Sequence, residues 1–382
     1  MSVPRVNWVL VQVGIVTLFG GLWSSAKADW PMNRGNPQLS GVSAMDASRM
    51  PKEVWSFSAG KPVKGGAAIA SGFVFVGDEA GILHALDLEK GLKKWSFKTE
   101  AAVEATPLVL GKRVFVGSND GKLYAIEADS GEAVWNYSTD DKIIGGANFY
   151  KNFGEAAEWV IFGSYDSKLH CVDSATGKAV WTFATENYIN GTPALLPGGE
   201  LIFGGCDSML RIVSAVDGKQ LRQIEAEAYV ASSVAVAEDG TAYVGHYGNV
   251  VIGMKPKEAT ISWKYRERQF PYVSSAAVTK DRVLIGGGDK RLHCIERETG
   301  KGLWQFPTRG KVDGSPVVCG DTVVFGSMDG RLYGAALGDG AERWVYDLGS
   351  PVAASPAVSD GWIVVGTEDG VVHGLKVPAK TP

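Results

Sequence analysis

The run Val116-Gly-Ser-Asn-Asp-Gly-Lys-Leu-Tyr-Ala-Ile-Glu-Ala-Asp-Ser-Gly-Glu-Ala-Val-Trp135 decides the fold, because the chain repeats it. Its first glycine, Gly117, has equivalents at Gly77, Gly163, Gly204, Gly245, Gly286, Gly326 and Gly366. Successive steps along these eight positions are 40, 46, 41, 41, 41, 40 and 40 residues. Eighteen residues after each glycine stands Trp95, Trp135, Trp181, Trp263, Trp304 or Trp344; the fourth unit has Arg222 instead. Fourteen residues after each stands Gly91, Gly131, Gly177, Gly218, Gly300 or Gly340, with Ala259 in the fifth unit. A unit this short cannot cover both of its own faces, so neighbouring units must stack.

Each unit reads as four short strands. In the seventh they are Ser315–Cys319, Thr322–Ser327, Arg331–Ala336 and Glu342–Tyr346, separated by the turn pairs Gly320-Asp321, Asp329-Gly330 and Asp339-Gly340. Repeated four-stranded antiparallel units make propeller blades. The eighth unit, Ala354–Val377, ends before its tryptophan, which would fall at position 384. Val54-Trp55-Ser56-Phe57 has no unit of its own, and Trp55 lies 40 residues before Trp95. The chain is therefore expected to be all-β. Residues 29–382 should form a single domain, an eight-bladed β-propeller with four-stranded blades. The N-terminal strand 53–57 should join blade 8 and close the ring, leaving no open sheet edge. Trp55, Trp95, Trp135, Trp181, Trp263, Trp304 and Trp344 are read as structural wedges between blades. A buried tryptophan covers about 150–250 Å², or roughly 4–6 kcal/mol before entropy costs.

At 45% hydrophobic and 21% charged, the chain is not disordered. With 38 Lys+Arg against 42 Asp+Glu, it lacks the overall basic charge of a nucleic-acid-binding protein. Arg5, the apolar run Val9–Trp23 and Ala26-Lys27-Ala28 have the layout of a secretory signal peptide over residues 1–28, with Asp29 beginning the mature chain. The expected location is periplasmic or secreted, peripheral to the outer membrane at most, with no span after cleavage. Cys171, Cys206, Cys294 and Cys319 are expected to be free thiols. Cys171 and Cys294 occupy one strand position three units apart, too far to bond.

Asp173-Ser-Ala-Thr-Gly-Lys-Ala-Val-Trp181, Glu296-Arg-Glu-Thr-Gly-Lys-Gly-Leu-Trp304 and the opening Asp29-Trp-Pro-Met-Asn-Arg-Gly-Asn36 resemble the PQQ-type (quinoprotein-like) eight-bladed propeller superfamily. The resemblance covers residues 29–377. It implies one of two branches. Quinoprotein dehydrogenases bind pyrroloquinoline quinone with calcium over the propeller axis. The branch typified by the outer-membrane assembly factor BamB is non-enzymatic and periplasmic. The dehydrogenase pattern includes long insertions and an adjacent Cys-Cys pair. Here the units are nearly uniform, the largest insertion lying within Phe149–Glu158, and no two cysteines are adjacent. The BamB pattern includes a lipidated cysteine that is missing at the expected cleavage point. The expectation is a non-catalytic exported scaffold without cofactor, a monomeric ring whose partner is another envelope protein and which aids outer-membrane protein assembly. The alternative is a quinone-dependent oxidoreductase or quinone-binding sensor.

Two ring-spaced sets invite a chemical reading. His84, His170, His293 and His373 lie seven residues after the unit glycine, and Asp120, Asp166, Asp207, Asp289, Asp329 and Asp369 lie three after it. Spread one per blade, neither set can converge on one metal, so both are read as structural. The candidate working surface is the channel mouth. Lys64, Glu104, Asn190 and Asp313 should ring it, with Lys64 facing Glu104. Beside them the connections into blades 4 to 6 carry Tyr188, Tyr229, Arg266, Arg268, Phe270 and Tyr272, the residue types of protein-binding hot spots.

Overall fold

A computed structural model describes residues 29–152 and 157–379; the expected signal peptide lies outside the described residues. Eight sheets of four antiparallel strands form the ring, and the only helix among the described residues is the 3-10 turn Asn33–Gly35. Blade 1 comprises Ala68–Ala70, Phe73–Gly77, Ile82–Asp87 and Lys93–Lys98, innermost strand first. Blade 8 comprises Ala357–Ser359, Trp362–Gly366 and Val371–Lys376, and its outermost strand is Lys52–Ser58 from the other end of the chain. Phe57 pairs with Val372 and Trp55 with Gly374 in this closure.

The middle strands of every blade are buried on both sides, as in the pattern of Val114–Gly117 or Leu332–Ala335. The outermost strands alternate, as a strand with one wet face must. Each outer strand also carries a bulge one residue before the tryptophan position, where the register skips Val54, Val134, Val180, Leu221 or Leu303. The skipped side chains point outward, and these five are exposed aliphatics of the outer rim.

The tryptophans bridge blades by polar contact as well as by area. Trp95 Nε1 donates to the Ala128 carbonyl of blade 2 at 2.9 Å, and its ring lies on Gly131. A Cβ at Gly131 would sit 2.6 Å from that ring, and the residue is at φ +78, so glycine is required twice over. The same contact joins Trp55 to Leu88, Trp135 to Ser174, Trp181 to Ala215, Trp263 to Arg297 and Trp304 to Leu337. Trp344 instead donates to Ala47 of the N-terminal segment, at 2.8 Å.

The fourth junction differs in a correlated way. Arg222 Nε donates to the Pro256 carbonyl at 2.9 Å, taking over the indole's bond, and its Nη2 pairs with Glu200. Ala259 stands opposite, at φ 54, where the other junctions need glycine. Arg222→Trp alone should therefore clash with the Ala259 Cβ and cost about 1–3 kcal/mol. Adding Ala259→Gly should recover most of that loss. Thermal melts of the two single variants and the double variant check this; strictly additive effects would refute the coupling.

Residues 30–43 cross the axis. Trp30 bridges to Ile69, and the carbonyls of Pro31, Pro37, Gln38, Ser40 and Gly41 accept from Val109, Leu195, Val236, Val278 and Val318. Asn148 in blade 3 donates from its side chain to Pro37. Val42–Ser43 then adds a fifth, parallel strand beside Val317–Cys319 of blade 7. The N-terminal segment thus plugs the channel at the end where the innermost strands turn back, touching seven of the eight innermost strands.

Candidate functional site

The connections that carry the chain from one blade into the next lie on the face opposite the plug, beside the turns between second and third strands. Backbone bonds tie the two sets together, as from Glu79 to Pro62, Cys206 to Tyr188 and Tyr247 to Tyr229. Below the mouth runs a belt of hydroxyls. The amides of Gly66, Thr192, Ser233, Ser275 and Ser315 donate to the side chains of Thr106, Ser233, Ser275, Ser315 and Ser355, each in the next blade, at 2.9–3.1 Å. These small polar residues let eight strands crowd one axis while satisfying the amides that no strand partner reaches.

The mouth residues are engaged locally. Lys64 pairs with Glu79 of its own blade rather than with Glu104, which corrects the expected cross-blade pair. That contact is the chief reason its pKa is raised. Glu104 accepts from Asn119 at 2.8 Å, and Asn190 reaches the Cys206 sulfur at 3.2 Å. Burial raises the Asp313 carboxyl. All four cysteines are free.

The histidine and aspartate sets, separate in the sequence, meet inside blades 3 and 6, while His84 takes Asp78 and His373 takes Glu53 instead. His170 and Asp166 are 3.0 Å apart, His293 and Asp289 3.0 Å, and His84 and Asp78 2.8 Å. Tyr124, Tyr333 and Arg211 reach Asp120, Asp329 and Asp207 from the same strand position. The carboxylate can only accept, so Nε2 carries the proton in His170 and His293. Nδ1 then accepts from Tyr137 or Tyr265, at 3.1 and 3.0 Å. Burial lowers the His170 pKa, keeping the ring neutral. These Asp–His–Tyr chains imitate a proton relay, yet both histidines and Tyr265 are buried in their blades and Tyr137 is half-buried. They pin the turn to the strand.

The aromatic sector divides. Tyr272 is 2% exposed, packed edge-on against His293 and beside Tyr265, so it is a core ring and not part of a partner surface. Three residues before Ser275, it holds the position where the other connections have a buried valine or isoleucine, such as Val230 and Val312. Tyr188, Tyr229 and Phe270 are exposed, as are Arg266 and Arg268. Tyr188 stacks on Tyr165 at 4.5 Å, and Lys142 caps the Tyr165 ring. The sequence reading missed Tyr247, 53% exposed in the turn beside Tyr229. Its unit position, two after the glycine, varies between blades and gives no periodic signal. Among the described residues, the exposed aromatic rings are these four, Tyr188, Tyr229, Tyr247 and Phe270, all on the connection face over blades 4 to 6.

The family model described as outer membrane protein assembly factor BamB matches residues 40–152, 165–305 and 271–378. The chain belongs to the BamB family. No curated protein sequence matches it. Among solved structures, BamB from Moraxella catarrhalis is similar over 86% of this chain and 100% of its own, with a TM-score of 0.71 and 17% identity. A quinohemoprotein alcohol dehydrogenase from Pseudomonas putida HK5 is similar over 93% and 82%, at 0.78 and 14%. A europium-containing methanol dehydrogenase is similar over 92% and 98%, at 0.76 and 13%. These three likenesses show the shared propeller fold. Membership in the BamB family rests on the family model. Among the described residues no group of three or more His, Cys, Asp and Glu side chains is placed to hold a metal ion. No helix there is long and apolar enough to cross a membrane.

Proposed function

We propose that this BamB-family chain is a non-catalytic periplasmic scaffold, working without a cofactor, that docks an envelope protein on its connection face and so aids outer-membrane protein assembly. The observation that carries the reading is the segregation of exposed aromatic rings onto that one face. Single exposed apolar residues need no explanation, but four clustered rings beside Arg266 and Arg268 have the composition of an interface core. The test is recovery of partners from envelope extract by the native protein and by Tyr229→Ala, Arg266→Ala, Arg268→Ala, Phe270→Ala together. These side chains are exposed, so the melting temperature should hold while recovery falls at least thirtyfold, the equivalent of about 2 kcal/mol. Unchanged recovery would move the interface elsewhere.

We extend the proposal to a mouth that works without a cofactor. Calcium takes six to eight oxygens, whereas the two mouth carboxylates belong to blades 2 and 7, and Glu104 is held by Asn119. Added pyrroloquinoline quinone and calcium should leave the protein's absorbance unshifted and produce no dye reduction with alcohols or aldoses. Saturable, quinone-dependent reduction would replace the scaffold reading with the oxidoreductase one.

A further inference from the structure

The connections carry one position, five residues after the tryptophan site, whose charge switches around the ring. It is Glu100, Asp140, Glu186 and Glu227 entering blades 2 to 5, Arg268 and Arg309 entering blades 6 and 7, and Gly349 and Gly60 entering blades 8 and 1. The acidic arc is largely neutralised: Lys122 pairs with Glu100 at 3.0 Å, Lys168 with Asp140 at 2.9 Å and Lys264 with Glu227 at 2.7 Å. The basic arc is not. Arg266, Arg268, Lys290, Arg309 and Lys311 are all exposed on the connection face. Arg268 meets the buried Asp289 only at 3.9 Å. Arg266 donates to the Gly248 carbonyl at 3.4 Å and lies within electrostatic reach of Glu227, which Lys264 already pairs. Lys290, Arg309 and Lys311 have no ion pair among the described residues. Four of these five cations thus have no ion pair among the described residues, and Arg268 reaches only a buried carboxylate. The exposed Glu267 is the one acid in the Tyr265–Tyr272 connection. On a chain with more acids than bases, this excess makes a local positive field beside Phe270 that folding alone does not need.

From this charge switch we propose that the sector over blades 6 and 7 docks an acidic, aromatic-bearing segment of a partner protein. The inference rests on the scaffold reading above and specifies the chemistry of its partner. Charge complementarity favours an acidic segment. The size of the sector favours a polypeptide over an anionic membrane. A membrane plane laid on this face would also meet Asp141 and Glu186, both exposed and without an ion pair among the described residues. A protein segment can contact one sector and leave the acidic arc in solvent. The cations steer and orient the segment, while Phe270 and Tyr247 supply apolar area.

The test uses the mature protein and three probes: a twelve-residue peptide alternating Glu and Tyr, its Lys-for-Glu counterpart, and phosphatidylglycerol vesicles. The Glu peptide should bind, and should weaken as salt shortens the Debye length below about 8 Å. The Lys peptide should not bind. Changing Arg266→Glu, Arg268→Glu, Arg309→Glu and Lys311→Glu together should raise the Kd for the Glu peptide at least about tenfold, with melting unchanged. Asp141→Lys with Glu186→Lys, on the acidic arc, should not weaken it. Equal binding of the two peptides, or an unaffected charge-reversed variant, would overturn the inference. So would binding to vesicles alone, abolished by the same four changes, which would make the sector a membrane site. Partner recovery separates the two proposals. If the charge-reversed variant still recovers the native set of envelope proteins, the acidic-segment inference fails and the scaffold reading stands. If the native protein recovers none, the scaffold reading fails, and the peptide measurement still judges the charge.

Discussion

A chain lacking residues 29–58 is expected not to reach the folded state. The deletion removes the outermost strand of blade 8, which pairs with Val371–Lys376 along its whole length. It removes Trp55, 7% exposed, together with its bond to Leu88. It takes away the Ala47 carbonyl that satisfies Trp344. It also withdraws the plug that bonds seven innermost strands. Burial of Trp55 alone is worth roughly 4–6 kcal/mol by area, and a whole domain has only about 5–15 kcal/mol of net stability. The exposed edge at Val371–Lys376 would then offer a template for pairing with other chains. Gel filtration should find aggregate in place of monomer, and circular dichroism should show no cooperative melt. Removing residues 29–47 alone keeps the closing strand and should leave a folded ring that melts lower. If the larger deletion melts as the native chain does, the ring does not depend on its N-terminal closure.

The repeat made most of the fold legible before any coordinates. Glycine and tryptophan fell in one register because each blade meets its neighbour through the same ring-on-glycine contact, as at Trp95 and Gly131. The Arg222 and Ala259 exceptions were visible as substitutions. That they compensate each other was not, because the contact joins two units. The same limit hid the Asp166–His170 pairing: each position was read around the ring, while the bond runs within a blade. The candidate site was less legible. Tyr272 and Phe270 stand two apart in one connection, yet one is core and the other exposed, and composition cannot separate them. Tyr247 was invisible because its turn position has no repeat signal. The plug was not legible: its opening Asp29–Asn36 stood out only as a motif of the family resemblance, because its bonds to the ring span up to about seven units of sequence and leave no periodic trace.

Arg34 should be the most sensitive single position in that plug. Its side chain is fully buried, and Nη2 donates to the Ala276 carbonyl at 3.1 Å and the Pro316 carbonyl at 2.5 Å. Its neighbour Asn33 reaches Thr192 and Ser233 of the hydroxyl belt. Nε and Nη1 have no partner among the described residues, and burial lowers the guanidinium pKa to about 9. The backbone there is left-handed, at φ 61, a conformation that costs a non-glycine residue roughly 1–2 kcal/mol. The surrounding bonds must outweigh both penalties for the plug to stay seated. Arg34→Ala should strand two buried carbonyls, at about 1–3 kcal/mol each, and leave a void beneath Gly41, whose surroundings the guanidinium fills. A total loss of about 3–5 kcal/mol is expected. Arg34→Met fills most of the void and relieves the desolvated charge but offers no donor, so its loss should be smaller, about 1–3 kcal/mol. Urea unfolding of the three proteins orders them. Should alanine and methionine lose equally, the carbonyl bonds carry the position and the volume does not. If neither loses stability, the plug is an ornament on a ring that holds without it, and the lower melt expected for the chain lacking residues 29–47 must vanish as well.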